Sequence, residues 1–234
     1  QDYDPSKEDF NISMPVLSAS ASLNTISPRE EGIEWRAFWA DAWNKGFFNK
    51  TQVKEMVAIA KQYGYNAIVM QARRRGDAAY FPSYPNTEPR ISSLAQDFDA
   101  LREVIQEAHL QGIEVHAWIS TFLVSPPTAP TNPEHVYVKH PEYLNEKKDG
   151  QKKFEEGYYL DPGHPGALEW NERVVMDIVS HYEIDGLHFD YVRYPQQDSG
   201  YNPVSIERYN REFGLTGKPS ASDPEFSSWR RRQI

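Results

Sequence analysis

The sequence predicts a parallel α/β fold of the (β/α)8 or TIM-barrel type. Apolar, strand-like segments alternate along the chain with amphipathic helical patterns, which is typical of strands that run parallel in one sheet. The turns that lead into the strands are short and the segments that follow them are long, as in (β/α)8 barrels. A doubly wound sheet is the competing architecture. The segment after the first strand, however, lacks the glycine-rich phosphate-binding turn of that fold.

Four strands are predicted, over residues 33–39, 66–71, 113–120 and 186–190. The helix after the first strand is indicated by apolar residues at helical spacing, namely Val53, Met56, Val57 and Ala60. Similar stripes predict helices over 101–108 and 175–182, and a last helix is expected over 225–234. Because a complete barrel has eight strands, the sequence accounts for about the first four βα units.

The polar segment of residues 1–31 is expected to be a flexible lead-in, and residues 32–234 to be the barrel domain, incomplete at its C-terminal end. The chain starts at Gln1 and not at Met, which is typical of a mature or trimmed N-terminus and is compatible with export.

The composition narrows the classes of function. A net charge of -9 argues against nucleic-acid binding, since phosphates need clustered Lys and Arg. The absence of cysteine excludes disulfides and thiolate metal sites, and no apolar run approaches the roughly 20 residues of a membrane span. No phosphate-loop or serine-nucleophile motif is present, and no cofactor is expected. The 6 Trp and 14 Tyr can fill a core or stack against sugar rings.

Alternate side chains of a strand share one face, and apolar residues should face the helices. Three sets are then expected on the inner face: Val69, Gln71 and Arg73; His116, Trp118 and Ser120; Gly186, His188 and Asp190. These sets become more polar towards the C-terminal ends of the strands, which we call the mouth. Carboxylate, amide, guanidinium and indole groups converging at one end are what a sugar site needs.

Asp190, which ends the fourth strand at the mouth, is the first candidate for chemistry. Glycoside hydrolysis ordinarily uses two carboxyl groups, one as acid and one as nucleophile or base. A structural role, as a helix cap or as a partner of Arg193, stays open for Asp190. Asp161 is a second candidate, although a turn or N-cap role before the helix at 165 explains it more simply.

Arg73 and Arg75 flank the predicted site and could bind hydroxyls or a carboxylated sugar, or hold a carboxylate ionised. Asp77 is close enough in sequence to form a structural ion pair with one of them instead. His116 and His188 both face inward by parity. No third ligand at metal-binding spacing accompanies them, which favours hydrogen-bonded histidines and no metal site.

Several motifs occur together in a fixed order. They are Gln71-Ala72-Arg73 with Gly76-Asp77-Ala78 and Tyr80, Val115-His116-Ala117-Trp118, Leu160-Asp161-Pro162-Gly163-His164-Pro165, and Asp185-Gly186-Leu187-His188-Phe189-Asp190-Tyr191-Val192-Arg193-Tyr194-Pro195. Together they resemble the glycosyl-hydrolase-like 10 family of bacterial barrel proteins, over roughly residues 32–234.

The resemblance implies a TIM barrel in an exported, often lipid-anchored, bacterial protein located outside the cell or in the cell envelope. It also implies activity on glycan strands, with peptidoglycan lacking stem peptides as the substrate class. Similarity to alpha-galactosidase-type barrels would make Asp190 the nucleophile, with the acid/base on a later strand that this chain does not reach.

The resulting hypothesis is a glycoside hydrolase that acts on a bacterial cell-wall or related polysaccharide, with Asp190 as nucleophile or stabiliser. The side chains expected to bind sugar are Gln71, Arg73, Arg75, Asp77, Trp118, Asp161, His164, His188, Tyr191 and Arg193. One alternative is a glycan-binding module without catalysis. Another is a metal-dependent deacetylase that uses Asp161 and His164.

Overall fold

The computed structural model describes residues 34–83 and 88–234. The predicted lead-in, residues 1–31, lies outside the described residues. The strands and helices described below belong to one compact unit, Trp35–Ile234.

Strands and helices alternate along this unit. In chain order they are β1 (Ala37–Ala40), α1 (Lys50–Gln62), β2 (Ala67–Arg73), α2 (Ala100–Leu110), β3 (Glu114–Ser120), β4 (Leu123–Ser125), α3 (Val136–Lys139), a 3-10 turn (Pro141–Tyr143), β5 (Tyr158–Tyr159), α4 (Pro165–His181), β6 (Gly186–Asp190), α5 (Pro203–Phe213) and α6 (Pro224–Arg231). Strands β1, β2, β3 and β6 form one parallel sheet in that order, and β4 and β5 form a small antiparallel pair.

The first two helices begin and end where local chemistry predicts. Asn49 caps α1 by accepting a hydrogen bond from the Gln52 amide, and Asp99 caps α2 in the same way. Gly64 and Gly112 follow these helices with φ of 73° and 68°, in the left-handed region that favours glycine. These short turns lead directly into β2 and β3.

The main core lies between the sheet and the helices. From β3, Val115, Ala117 and Ile119 are buried in it, while the alternate residues His116 and Trp118 are only half-buried on the opposite face. Each fully buried aliphatic side chain contributes roughly 1.5–3 kcal/mol to the free energy of unfolding. The alternation predicted for β3 is therefore present, and it defines an outer, helix-covered face and an inner face.

The segments after β3 and β6 contain more structure than a long loop. The segment after β3 includes the β4–β5 pair, and the segment after β6 includes α5, a helix that the apolar stripes did not predict. Asn202 caps this helix and Pro203 begins it. Helices α5 and α6 form a small core of their own from Tyr201, Ile206, Tyr209, Phe226 and Trp229. No helix in the described residues is long and apolar enough to cross a membrane.

Candidate active site

The inner face of the sheet carries layers of aromatic and polar side chains. The strand register aligns Val69, His116 and Gly186, and one layer nearer the mouth it aligns Gln71, Trp118 and His188. Asp190 pairs with Ser120 at the C-terminal ends of β6 and β3. Asp190 therefore lies at the mouth, where residues after parallel strands form the active sites of barrel enzymes.

Both oxygens of the Asp190 carboxylate accept hydrogen bonds. The Trp118 indole donates from Nε1 to Oδ2 at 3.0 Å, and the Tyr191 backbone amide donates to Oδ1 at 2.7 Å. The Asp190 backbone carbonyl accepts from the Thr121 amide at 2.8 Å. The carboxylate is thus fixed in one orientation from two neighbouring strands, and its side chain remains partly open to solvent.

Tyr191 has an unusual backbone conformation. Its φ is 53°, and within residues 34–83 and 88–234 it is the only non-glycine residue with positive φ. This left-handed conformation, rare for a bulky side chain, turns the Tyr191 amide back onto the Asp190 carboxylate. Such strain costs on the order of 1–3 kcal/mol and is concentrated at functional sites.

Aromatic and charged side chains surround the mouth beside Asp190. We call five of them the rim: Trp43, Arg75, Glu156, Tyr191 and Arg193. The Arg75 guanidinium lies 5.3 Å from the centre of the Tyr191 ring, and the Arg193 guanidinium lies 5.2 Å from the same ring. Arg193 Nη2 also contacts both carboxylate oxygens of Glu156 at 2.9 and 3.0 Å, and the Tyr159 hydroxyl donates to that carboxylate.

Two rim residues were missed by the sequence reasoning. Trp43 lies in the segment after β1, which was inspected only for a phosphate-binding turn, and its side chain is 51% exposed. Glu156 lies two residues before β5, whose pairing with β4 brings it to the mouth. The exposed aromatic residue after the first strand was a usable signal for Trp43. No local signal placed Glu156.

Three other residues predicted to bind sugar lie close to the mouth, but their side chains contact other groups of the protein. The buried Gln71 side chain accepts a hydrogen bond from the Ala42 amide at 2.9 Å and so supports the segment after β1. Asp77 pairs with Arg74 at 2.5 Å, a partner that was not predicted. His188 Nε2 lies 3.0 Å from His116 Nδ1, and burial, followed by the neighbouring His116, lowers the pKa of His188.

Arg73 is not available to a sugar, and its predicted position was wrong. A β-bulge between Gln71 and Arg73 pairs Arg73 with Ile119, a residue of the outer face, and reverses the expected parity. The side chain is fully buried. Its guanidinium contacts Glu88 at 2.5 Å and donates to the Ser120 and Thr121 carbonyls at 2.7 and 2.8 Å. Arg73 is therefore a structural cation behind the sheet.

The side chains of Asp161 and His164 accept hydrogen bonds from backbone amides at the start of α4. Asp161 is fully buried and accepts hydrogen bonds from the Gly163 amide at 2.8 Å and the Ser205 hydroxyl at 2.9 Å. Burial raises the pKa of Asp161 to about 6. His164 caps α4 by accepting from the Gly166 amide, and burial lowers its pKa. The structure does not bring these two side chains to the rim, which is where the deacetylase hypothesis needed them.

The described residues contain no group of three His, Cys, Asp or Glu side chains that could hold a metal ion. The His116–His188 pair is completed by Glu114, whose Oε2 lies 3.0 Å from His116 Nε2. Trp35 Nε1 donates to the same carboxylate oxygen. The two histidines therefore form part of a hydrogen-bonded network, as the sequence reasoning favoured.

Known proteins share sequence similarity with this chain. The family described as glycosyl hydrolase-like 10 matches residues 34–234. The glycosyl hydrolase YngK of Bacillus subtilis is 27% identical over 237 residues, which cover 96% of this chain and 43% of that protein. The glycosyl hydrolase DigH of Escherichia coli K12 is 27% identical over 203 residues, which cover 78% of this chain and 43% of that protein. The chain thus spans less than half the length of these relatives.

Solved structures share the fold. An alpha-L-fucosidase from Paenibacillus thiaminolyticus superimposes with a TM-score of 0.64 at 19% identity, covering 86% of this chain and 29% of that one. A GH20 exo beta-N-acetylglucosaminidase from Vibrio harveyi superimposes with a TM-score of 0.52 at 14% identity, covering 85% and 34%. These neighbours are glycosidases of the TIM-barrel type, which confirms the predicted fold class. The predicted family resemblance is confirmed as well, and this chain belongs to the glycosyl hydrolase-like 10 family.

Proposed function

We propose that the protein is a glycoside hydrolase that cleaves glycosidic bonds in bacterial cell-wall peptidoglycan or a related polysaccharide. The observation that carries this proposal is the Asp190 carboxylate. It lies at the mouth, oriented by the Trp118 and Tyr191 N–H groups and surrounded by aromatic rings and guanidinium groups. Family membership and the glycosidase fold support a glycoside-hydrolase-like role.

Asp190 is the proposed nucleophile or charge stabiliser. A glycosidic bond breaks through an oxocarbenium-like transition state, and a carboxylate placed under the anomeric carbon stabilises its positive charge or bonds to it. The orientation of Asp190 is held before substrate binds, so little reorganisation is needed during the reaction. The exposed Trp43 ring at the mouth offers a face for stacking a sugar ring.

The acid that protonates the leaving oxygen is a separate question. Glu156 is the carboxylate of the rim, and Arg193 Nη2 contacts both of its oxygens, so it already has a partner within the protein. We therefore propose that the acid comes from a part of the protein beyond the rim. The separation between Asp190 and that acid decides whether the anomeric configuration is retained or inverted.

The peptidoglycan substrate is proposed from what the family resemblance implies, and the relatives in Bacillus subtilis and Escherichia coli carry the broader name of glycosyl hydrolase. A protein that acts on such a substrate works outside the cytoplasm, and we propose export to the periplasm or cell surface. Cell fractionation with an antibody against this chain tests that location. Recovery only in the cytoplasmic fraction would contradict it.

The proposed activity is tested by incubating purified peptidoglycan glycan strands with the full-length protein and analysing the products by mass spectrometry. Shorter oligosaccharides with new reducing ends are expected. Strands that lose acetyl groups without becoming shorter would instead support a deacetylase. Intact, unbound strands would contradict any glycan-directed role on this substrate.

The ion pair between Glu156 and Arg193 favours one alternative function. It is a glycan-binding module that keeps the aromatic rim and lacks a general acid for catalysis. This alternative predicts sedimentation of the protein with insoluble peptidoglycan and no released fragments. Sedimentation and fragment release measured on the same sample separate the two functions.

A further inference from the structure

Arg75 occupies the centre of the rim. Its guanidinium lies 5.3 Å from the centre of the Tyr191 ring and 6.0 Å from the centre of the Trp43 ring. Nη1 donates one hydrogen bond, at 3.3 Å, to the backbone carbonyl of Glu156. Arg74 lies closer to the Trp43 ring, at 4.3 Å, so the nearer contacts of Arg75 are the Tyr191 ring and the Glu156 carbonyl.

The charge of Arg75 is not neutralised by an acidic side chain within residues 34–83 and 88–234. Its neighbour Arg74 is paired with Asp77, and Arg193 is paired with Glu156. The Asp77 carboxylate meets only the backbone amide of Arg75, at 3.1 Å. In a chain of net charge -9, a guanidinium in the rim without an ion-pair partner in the described residues is a local exception that calls for an anionic ligand.

The chemistry of the guanidinium indicates which anion. Arginine has five N–H donors in a rigid planar fork that matches a carboxylate in two parallel hydrogen bonds. One of the five is used by the Glu156 carbonyl. The remaining edge donors suit a planar, singly charged group on the substrate.

Proximity to Asp190 makes this positive charge useful. Tyr191, whose ring contacts Arg75, directly follows Asp190 and donates its amide to the Asp190 carboxylate. An acidic sugar that approaches Asp190 and Glu156 meets two negative charges, and like charges at such a site oppose binding. A cation at the same place offsets that repulsion.

We propose that Arg75, held by the Tyr191 ring and the Glu156 carbonyl, binds a carboxylate carried by the sugar bound next to Asp190, so that the site selects glycans with acidic sugars. This inference rests on the proposed function and adds the class of sugar that the site accepts. Neutral glycans of the same length bind more weakly because they leave the guanidinium without its partner.

The test compares two oligosaccharides that differ in one group, a free carboxylate or its primary amide. Binding is measured by calorimetry with the full-length protein in the Asp190→Asn background, where cleavage does not interfere. A charge-assisted pair predicts that the carboxylate form binds roughly ten- to a hundredfold more tightly. The preference should weaken as ionic strength rises, since the group is partly exposed.

Variants then assign the preference to Arg75. Arg75→Gln should bring the ratio of the two dissociation constants close to one, mainly by weakening binding of the acid. Arg75→Lys keeps the charge, loses the fork, and should retain part of the ratio. Arg211→Gln, an exposed arginine on α5, is the matched control and should keep the full ratio.

The outcomes separate this inference from the proposed function. Equal binding of acid and amide by the unmodified Arg75 site, with cleavage of both by the Asp190 protein, would overturn only the carboxylate inference. An Arg75→Gln variant that loses both ligands equally would overturn it too, because that result indicates a hydroxyl contact. Failure to bind or cleave either oligosaccharide would count against the proposed function itself.

Discussion

Replacing Arg73 with methionine is expected to lower the free energy of unfolding by about 3–5 kcal/mol, because Glu88 would stay buried without its cationic partner. Both side chains are 0% exposed, so water cannot replace the lost contact. The guanidinium also donates to the Ser120 and Thr121 carbonyls at the end of β3, and these acceptors lose a partner as well.

Urea denaturation followed by tryptophan fluorescence measures this loss. The matched control is Arg193→Met, whose ion pair with Glu156 has side chains 51% and 41% exposed and should contribute no more than about 1 kcal/mol. Adding Glu88→Leu to Arg73→Met should recover a large part of the loss, because an apolar pair carries no desolvated charge. A loss for Arg73→Met no greater than that for Arg193→Met would refute the reasoning.

Two further predictions concern Asp161 and Trp118. The folded-state pKa of Asp161, about 6, exceeds the ordinary aspartate pKa of 3.8, so the folded protein binds a proton at this site more tightly than the unfolded chain does. This adds to the free energy of unfolding below pH 3.8, and the contribution is lost as pH rises through about 6. Asp161→Asn should therefore gain stability at pH 7, by up to about 3 kcal/mol, and much less at pH 4; equal urea midpoint shifts at both pH values would contradict this. Trp118→Phe removes the N–H that orients Asp190, and kcat for glycan cleavage should fall about tenfold or more while KM changes less. An unchanged kcat would show that this hydrogen bond does not position the carboxylate.

The fold was predictable because its signals are periodic and local. The apolar stripe of α1 and the glycines after α1 and α2 marked the elements, and strand parity placed Trp118 and Asp190 on the inner face. Parity failed at Arg73, where one extra residue in the strand reverses the face of the side chain. A bulge depends on pairing with β3, which the residues of β2 do not encode on their own.

The candidate site was predictable only in part, for the same reason. Asp190, Tyr191 and Arg193 are consecutive or nearly so, and one strand end presents them together. Glu156 reaches them through the pairing of β4 with β5, two short strands separated by more than thirty residues. Asp161 and His164 belong to a different motif of the same family resemblance, and local contacts at the start of α4 decided their positions.

The most direct test of the central claim is the rate of glycan-strand cleavage by the Asp190→Asn variant of the full-length protein. Asn keeps the shape of the side chain and removes its charge. Asp97→Asn, at an exposed aspartate before α2, is the matched control. If Asp190 is the nucleophile or charge stabiliser, the Asn variant should fold normally and cleave at least about a thousandfold more slowly, while the control keeps its activity. Undiminished cleavage by folded Asp190→Asn would contradict the assignment.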